Sequence, residues 1–251
     1  MNNAPATWSG SSGDASIDPE ARRSFLDARR RSHEERMNAV HAERYDREWG
    51  AISPSHEAFV RRLLGLTRPG GTALDAACGT GKYWPLVLAS GRTVVGVDQA
   101  AEMLRLAAAK HPGVPVARVG LQQLAFQGVF DAVMCVDALE NVGPEDWPLV
   151  LARLRDAARP GAPLYLTVEL CPEEEVRRDF ERARAAGAPV VPGESFDGVG
   201  YHYFPEPEAV RRWLDEARLE RIDERDGDSY RHFLLRRPVE GVTRRVVPAK
   251  S

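Results

Sequence analysis

The residues best suited to chemistry lie in one short stretch, Leu74-Asp75-Ala76-Ala77-Cys78-Gly79-Thr80-Gly81-Lys82-Tyr83. The stretch begins with the pattern of a buried strand and runs into a helix. Gly79 and Gly81 permit a tight turn and let the backbone approach a ligand closely. Seventeen residues beyond Gly81, the next apolar run ends at Asp98. A carboxylate placed there accepts hydrogen bonds from both hydroxyls of a ribose at the switch point of a parallel sheet. Together these residues point to a ribose-bearing cofactor.

Two further residues narrow the choice. A dinucleotide loop needs a third glycine so that helix and pyrophosphate fit together, and Trp84 stands in that place. Asp75, at the strand end, is expected to disfavour a pyrophosphate and to suit the ammonium of a methionine moiety. The expectation is adenosine without phosphates, which ranks a nicotinamide oxidoreductase last.

The surrounding elements must hold that loop in place. Apolar runs at 72–77, 93–97, 116–119, 130–136 and 163–170 alternate with helical spacing at 82–90, 100–110 and 145–158. Such alternation implies right-handed crossovers and a mostly parallel sheet. Runs at 219–224 and 230–236 flank Asp226-Gly227-Asp228, a strand–turn–strand pairing that turns the last strand antiparallel. The fold class is therefore α/β: a doubly wound seven-stranded sheet, mostly parallel with an antiparallel last strand, with helices on both faces.

Outside this unit the pattern weakens. Residues 1–18, rich in Ser, Gly, Ala and Asn, are expected to be a disordered tail. Residues 19–50 are helical and charged, with sparse apolar residues between Phe25 and Trp49. A solvated helix with one narrow packing face is the leading reading, and a lid over the site is the other. Residues 51–238 form the main domain, with an insertion at 171–206 on the substrate side, and 239–251 form a flexible tail.

A chain of 251 residues, 43% hydrophobic and 28% charged, suits one globular domain with ragged ends. The net charge of −3 offers no basic face for nucleic acid, and no apolar run approaches a membrane span. The start lacks the pattern of a secretion signal. Cys78, Cys135 and Cys171 share no disulfide or metal spacing. The expectation is a reduced, cytoplasmic, metal-free protein with no membrane or nucleic-acid partner, its oligomeric state left open.

The motifs together resemble the class I S-adenosylmethionine-dependent methyltransferases. Leu74 to Gly81 looks like their first motif, and Val95-Gly96-Val97-Asp98 with Ala101-Glu102-Met103-Leu104 looks like the acidic end of their second strand. Phe130 to Val142 looks like their fourth-strand segment, and Arg159 to Leu166 like their fifth strand with its preceding turn. The resemblance covers roughly 45–235 and implies a Rossmann-like fold and S-adenosyl-L-methionine as cofactor. It further implies that backbone at Cys78, Gly79 and Gly81 lines the methionine part and that Asp98 holds the ribose. Gln99 and Met103 would border the adenine, Val136 would offer backbone near the amino group, and Tyr45 would close over the carboxylate. Lys82 is either an assistant to that carboxylate or a surface lysine. Two places depart from the family pattern. Gly120 stands where an acidic residue often binds the adenine amino group, leaving backbone around Gly120–Leu121 or Gln122 for that contact. Asn141 stands where histidine is common.

A methyl acceptor should lie beyond the carboxyl ends of the later strands. Asp137 and Glu140 follow the fourth strand, Glu169 ends the fifth, and Gly200-Tyr201-His202-Tyr203-Phe204-Pro205 sets aromatic rings around a histidine. His202 suits a general base, with a packed loop histidine as the alternative. Glu169 reads as a base or an anchor for an acceptor amine, or as a solvated rim carboxylate. Tyr201 and Tyr203 are expected to wall the substrate pocket, and His232 to be structural or pocket-lining. The expected function is methyl transfer to a small molecule. Cyclisation of the cofactor's aminobutyrate arm and a silent cofactor-binding module are the alternatives.

Overall fold

The computed structural model describes residues 17–196 and 200–239. The two expected tails therefore fall almost wholly outside the described residues, as do 197–199 in the expected insertion. Asp18 caps α1 (Pro19–Arg36): its carboxylate accepts from the amides of Glu20 at 3.4 Å and Ala21 at 3.1 Å, and Pro19 fills the first turn. One π-type turn over Met37–His41 then re-aims the chain into α2 (Ala42–Trp49), so the expected single helix is two.

α3 (Pro54–Leu66) starts at a proline, which suits the first helical turn, and buries Phe59, Val60, Leu63 and Leu64. Next come β1 (Thr72–Ala76), α4 (Trp84–Ala89), β2 (Thr93–Asp98), α5 (Ala101–Lys110) and β3 (Val116–Arg118). β4 (Ala132–Cys135), α6 (Trp147–Ala157), β5 (Pro163–Glu169) and α7 (Glu173–Ala185) follow. β6 (Glu194–Ser195) and β7 (His202–Tyr203) make a small antiparallel pair that the sequence pattern did not announce. α8 (Pro207–Glu216), β8 (Glu220–Gly227) and β9 (Tyr230–Arg236) complete the fold. Among the described residues no helix is long and apolar enough to cross a membrane.

The main sheet has seven strands in the order β3-β2-β1-β4-β5-β9-β8. β1 to β5 are parallel, and β9 runs antiparallel to β5 from the Pro163–Arg236 pair to the Glu169–Tyr230 pair. The hairpin to β9 turns at Asp228-Ser229, both at positive φ (53° and 66°), rather than at Asp226-Gly227-Asp228. Gly227 instead closes the ladder opposite Tyr230. A side chain there would meet Ser55 Oγ.

Strand alternation sorts the core into two layers. Leu74, Ala76, Val133, Cys135, Leu164 and Leu166 pack with α6 and α8 on one face. Ala73, Ala132, Met134, Val136 and Tyr165 pack with α3, α4 and α5 on the other. Strand order reverses between β1 and β4, and the crevice beyond their carboxyl ends is where a doubly wound sheet binds ligands.

The same alternation settles Asp75. It shares the Ala73 face and lies under Trp84, whose indole N–H donates to Asp75 Oδ2 at 2.8 Å. Trp84 in turn needs two glycines beneath it. A Cβ at Gly96 would sit 2.3 Å from its ring, and one at Gly81 would sit 2.7 Å away. Burial pushes the Asp75 carboxyl up to about 8, the Trp84 hydrogen bond opposing and the Asp98 and Asp137 charges adding. An unfolded Asp ionises near 4, so the folded chain holds this proton more tightly, and stability falls as pH rises from about 4 through 8. Asp75→Asn keeps an acceptor for Trp84 without the ionisation. Its thermal midpoint should exceed that of the wild type at pH 8.5 and lose that advantage at pH 5. An advantage independent of pH would show that Asp75 ionises normally.

Candidate active site

The chain leaves β1 through alternating left-handed residues, with φ of 61° at Ala77, 53° at Gly79 and 77° at Gly81. The loop is tied to β2 by the Cys78 amide, which donates to the Val97 carbonyl at 2.9 Å. Asp98 then fixes both sides of the crevice. Its carboxylate accepts from the amide of Gly79 at 2.8 Å and from that of Ala100 at 2.8 Å. Burial pushes the Asp98 carboxyl up, and these backbone donors oppose the shift. A Cβ at Gly79 would lie 3.5 Å from Met103 Cε and 3.9 Å from the Tyr45 hydroxyl, so Met103 and Tyr45 flank a cradle that a side chain would fill. Asp46 holds Tyr45 there. Its carboxylate accepts from Thr80 Oγ1 at 2.5 Å and from Lys110 Nζ at 2.8 Å, which pins α2 to the glycine loop and α5.

This cleft, about 100 Å³, is also lined by Gln99, Leu121 and Gln122. Its inner wall, at Tyr45, Asp137 and Asn141, is shared with a larger cavity of about 530 Å³. Glu140, Glu169, His202, Tyr230, His56 and Lys82 face the larger space. His202 Nδ1 is 4.0 Å from Glu169 Oε2. Asp137, at φ 53°, sits in a hydrogen-bonded chain: Ser53 Oγ meets His56 Nδ1, and His56 Nε2 lies 2.7 Å from Asp137 Oδ1. Tyr83 donates to Asp137 Oδ2 at 3.0 Å, with Lys82 Nζ at 3.4 Å. Burial alone would raise the Asp137 carboxyl. The His56 hydrogen bond and charge, Lys82 and Tyr83 outweigh it and hold the group below its ordinary value. Asp137 is thus a carboxylate at the junction of the two cavities.

Residues 73–161 match the family described as a methyltransferase domain. A ubiquinone biosynthesis O-methyltransferase from Xanthomonas campestris pv. campestris is 29% identical over 189 residues, 69% of this chain and 72% of that protein. A methyltransferase from Methanosarcina mazei superposes with a TM-score of 0.62 at 18% identity, covering 75% of this chain and 99% of the other. The 1,6-didemethyltoxoflavin-N1-methyltransferase of Burkholderia thailandensis superposes with 0.61 at 19%, covering 94% and 93%. Residues 73–161 thus carry a methyltransferase domain, and the chain as a whole is similar to S-adenosylmethionine-dependent methyltransferases. Its Rossmann-like sheet, with helices on both faces, is the one expected.

The methyltransferase cleft gathers six of the residues singled out by sequence: Tyr45, Gly79, Asp98, Gln99, Met103 and Leu121. Asp75, Cys78, Gly81 and Val136 do not line it. Asp75 faces Trp84, and Cys78 Sγ lies 2.9 Å from where a Cβ at Gly96 would sit, while the Cys78 backbone, through which its contact was expected, is tied to β2. Gly81 makes room for the Trp84 ring, and Val136 is packed among the α3–α5 side of the core. Asp137, Glu140, Glu169 and His202 meet in the larger cavity, but Tyr201 and Tyr203 leave it. In extended backbone, neighbours alternate in direction, so presenting His202 turns both tyrosines away. Tyr201 is buried and donates to Glu194 Oε1 at 2.6 Å, and Tyr203 lines a separate cavity of about 460 Å³ beside Phe180. His232 is structural: fully buried, with Nδ1 2.8 Å from the Tyr165 hydroxyl and Nε2 2.8 Å from the Gly227 carbonyl.

His56 and Tyr230 were missed. His56 drew no reading from the sequence, and its partner Asp137 is 81 residues away, beyond any local pattern. Lys82 is not a surface lysine: its side chain is 13% exposed and its ammonium lies 3.4 Å from Asp137 Oδ2. Glu140 and Asn141 form a pair in which Asn141 Nδ2 donates to Glu140 Oε1 at 3.1 Å. Among the described residues, Glu140 Oε2 and Asn141 Oδ1 are buried without a hydrogen-bond partner.

Proposed function

We propose that this methyltransferase moves the sulfonium methyl of S-adenosylmethionine to a small-molecule acceptor held in the larger cavity. The observation carrying the proposal is the junction at Tyr45, Asp137 and Asn141, where the cleft beside Asp98 and the glycine loop meets a larger cavity lined by general-base candidates. The cleft residues fit the cofactor. Asp98 offers lone pairs to the ribose, Met103 an apolar face to the adenine, and Tyr45 closes the Gly79 cradle over the methionine part. Leu121 and Gln122 replace the missing acidic residue at Gly120. Bound there, the cofactor supplies an electrophilic methyl group, so the protein's main task is position. His202, with Glu169 Oε2 4.0 Å from its Nδ1, takes the proton that the acceptor loses.

Residues 19–50 act as a lid in this reading, because His33, Met37 and Tyr45 line both cavities. Residues 51–238 are then the catalytic domain, with 171–206 carrying the acceptor wall. A cytoplasmic setting is part of the same proposal and is supported by the free thiols of Cys78, Cys135 and Cys171.

Calorimetry tests the cofactor assignment. The wild type should bind S-adenosylmethionine and not NAD, and Asp98→Ala should weaken that binding by about 1–3 kcal/mol, the range of charge-assisted hydrogen bonds. Tight NAD binding, or unchanged affinity in Asp98→Ala, would remove the assignment.

A further inference from the structure

Three buried polar atoms of residues lining the acceptor cavity have no hydrogen-bond partner among the described residues: Glu140 Oε2, Asn141 Oδ1 and, on α1, Arg36 Nε. Glu140, only 6% exposed, lines the cavity, and its Oε2 is buried with no donor among the described residues. Its neighbour Asn141 likewise leaves Oδ1 without a donor. The Asn141 amide orientation is fixed by its other end, since Nδ2 donates to Glu140 Oε1 and to the Ala138 carbonyl, both acceptors. Two adjacent buried acceptor atoms therefore await N–H or O–H donors.

The charges on the wall point the same way. Lys82 and His56 are both directed to Asp137, and His202 lies beside Glu169. His33 and Arg36 of α1 pack against Gly200, where a Cβ would meet Arg36 Nη2 at 2.6 Å and His33 Nδ1 at 3.7 Å. Among the described residues, no cation is placed against the Glu140 carboxyl by hydrogen bond or ion pair. Tyr230 and Trp49 add aromatic faces to the same space.

We infer that the acceptor is a basic amine, its ammonium donating to Glu140 Oε2 and Asn141 Oδ1, so that the enzyme is an N-methyltransferase. The inference rests on the methyl-transfer reading above and names the substrate class of that site. An ammonium has N–H donors for both orphaned oxygens and the charge that offsets Glu140 and Glu169. A phenolate or carboxylate acceptor would bring a further anion against the same carboxyl groups and no donor at all. Burial, with the Glu169 and Asp137 charges adding, also pushes the Glu140 carboxyl well above its ordinary value, and a bound cation would relieve that. In the reaction the ammonium passes one proton to His202. The freed nitrogen pair forms the bond to the methyl carbon, the carbon–sulfur bond breaks, and its electron pair stays on sulfur as the thioether. The product leaves as the methylated ammonium, and the proton on His202 passes to solvent.

Isosteric pairs test this directly. Calorimetry in the presence of S-adenosylhomocysteine should compare 2-phenylethylamine with 2-phenylethanol, and benzylamine with benzyl alcohol. Each amine should bind at least about tenfold more tightly than its alcohol. Glu140→Gln should abolish that preference without changing S-adenosylhomocysteine binding, and Glu169→Gln should narrow it. Alcohols equal to amines, no binding by either member of any pair, or a preference that survives Glu140→Gln would overturn the amine assignment. Failure of S-adenosylhomocysteine itself to bind would instead overturn the underlying methyltransferase reading.

Discussion

Replacing His202 with Asn is expected to lower kcat by about 10²- to 10⁴-fold, the usual contribution of a positioned general base, with cofactor affinity unchanged. The imidazole faces the acceptor cavity, its Nδ1 lies 4.0 Å from Glu169 Oε2, and neither residue lines the cofactor cleft. A residue that only packs would affect binding, stability and rate together. Asn keeps much of the shape and polarity but cannot take a proton. Single-turnover rates across pH separate the two roles. The wild type should show an ionisation on the acidic limb that the variant lacks. Equal single-turnover rates for the two proteins would demote His202 to packing and move the search for a base to His56.

The second large effect concerns the attachment of α1. Arg22 is 6% exposed and grips Glu194 with both ends of its guanidinium, at 2.9 Å and 2.5 Å. It also donates to Glu145 Oε1 at 2.8 Å and to the Pro189 carbonyl at 2.9 Å. Burial would lower the Arg22 pKa, and the two glutamates outweigh that and keep it charged. Arg22→Ala leaves Glu194, fully buried, without its counterion, so it should cost about 3–5 kcal/mol in denaturant unfolding. Hydrogen exchange should rise across α1, while α2 keeps its own anchor through Asp46. The paired change Arg22→Met with Glu194→Leu removes both charges and should recover most of the stability. A single variant that unfolds like the wild type would show that α1 is held by its apolar contacts alone, such as the Phe25–Phe196 ring pair at 5.6 Å.

The N-terminal segment shows why the sequence reading fell short there. Its sparse apolar residues suggested a solvated helix, yet α1 docks mainly through a buried arginine. A charge counts as buried only when its partner is known, and Glu194 is 172 residues away. Asp75 failed for a different reason. Its type suited an ammonium, but the face it occupies follows from strand parity, which places it with Ala73 under Trp84. The same parity explains Tyr201 and Tyr203. Once His202 faces the cavity, residues on either side of it point elsewhere.

Residue types and spacing along the chain were enough for the alternating strands and helices, the glycine loop, and the acidic end of the second strand. They were also enough for the family that these imply. Those features are local: each depends on hydrophobic period, on backbone freedom at glycine, or on a carboxylate a fixed distance from a turn. The junction of the two cavities is not local. Ser53, His56 and Asp137 form one chain, and Glu140, Glu169, His202 and Tyr230 one wall, because strand order and register bring distant segments together beyond β4 and β5. Charge pairing and hydrogen-bond satisfaction act over a few ångströms in space whatever the separation along the chain. The cleft was therefore legible from the residues in order, and the acceptor wall only from the folded chain.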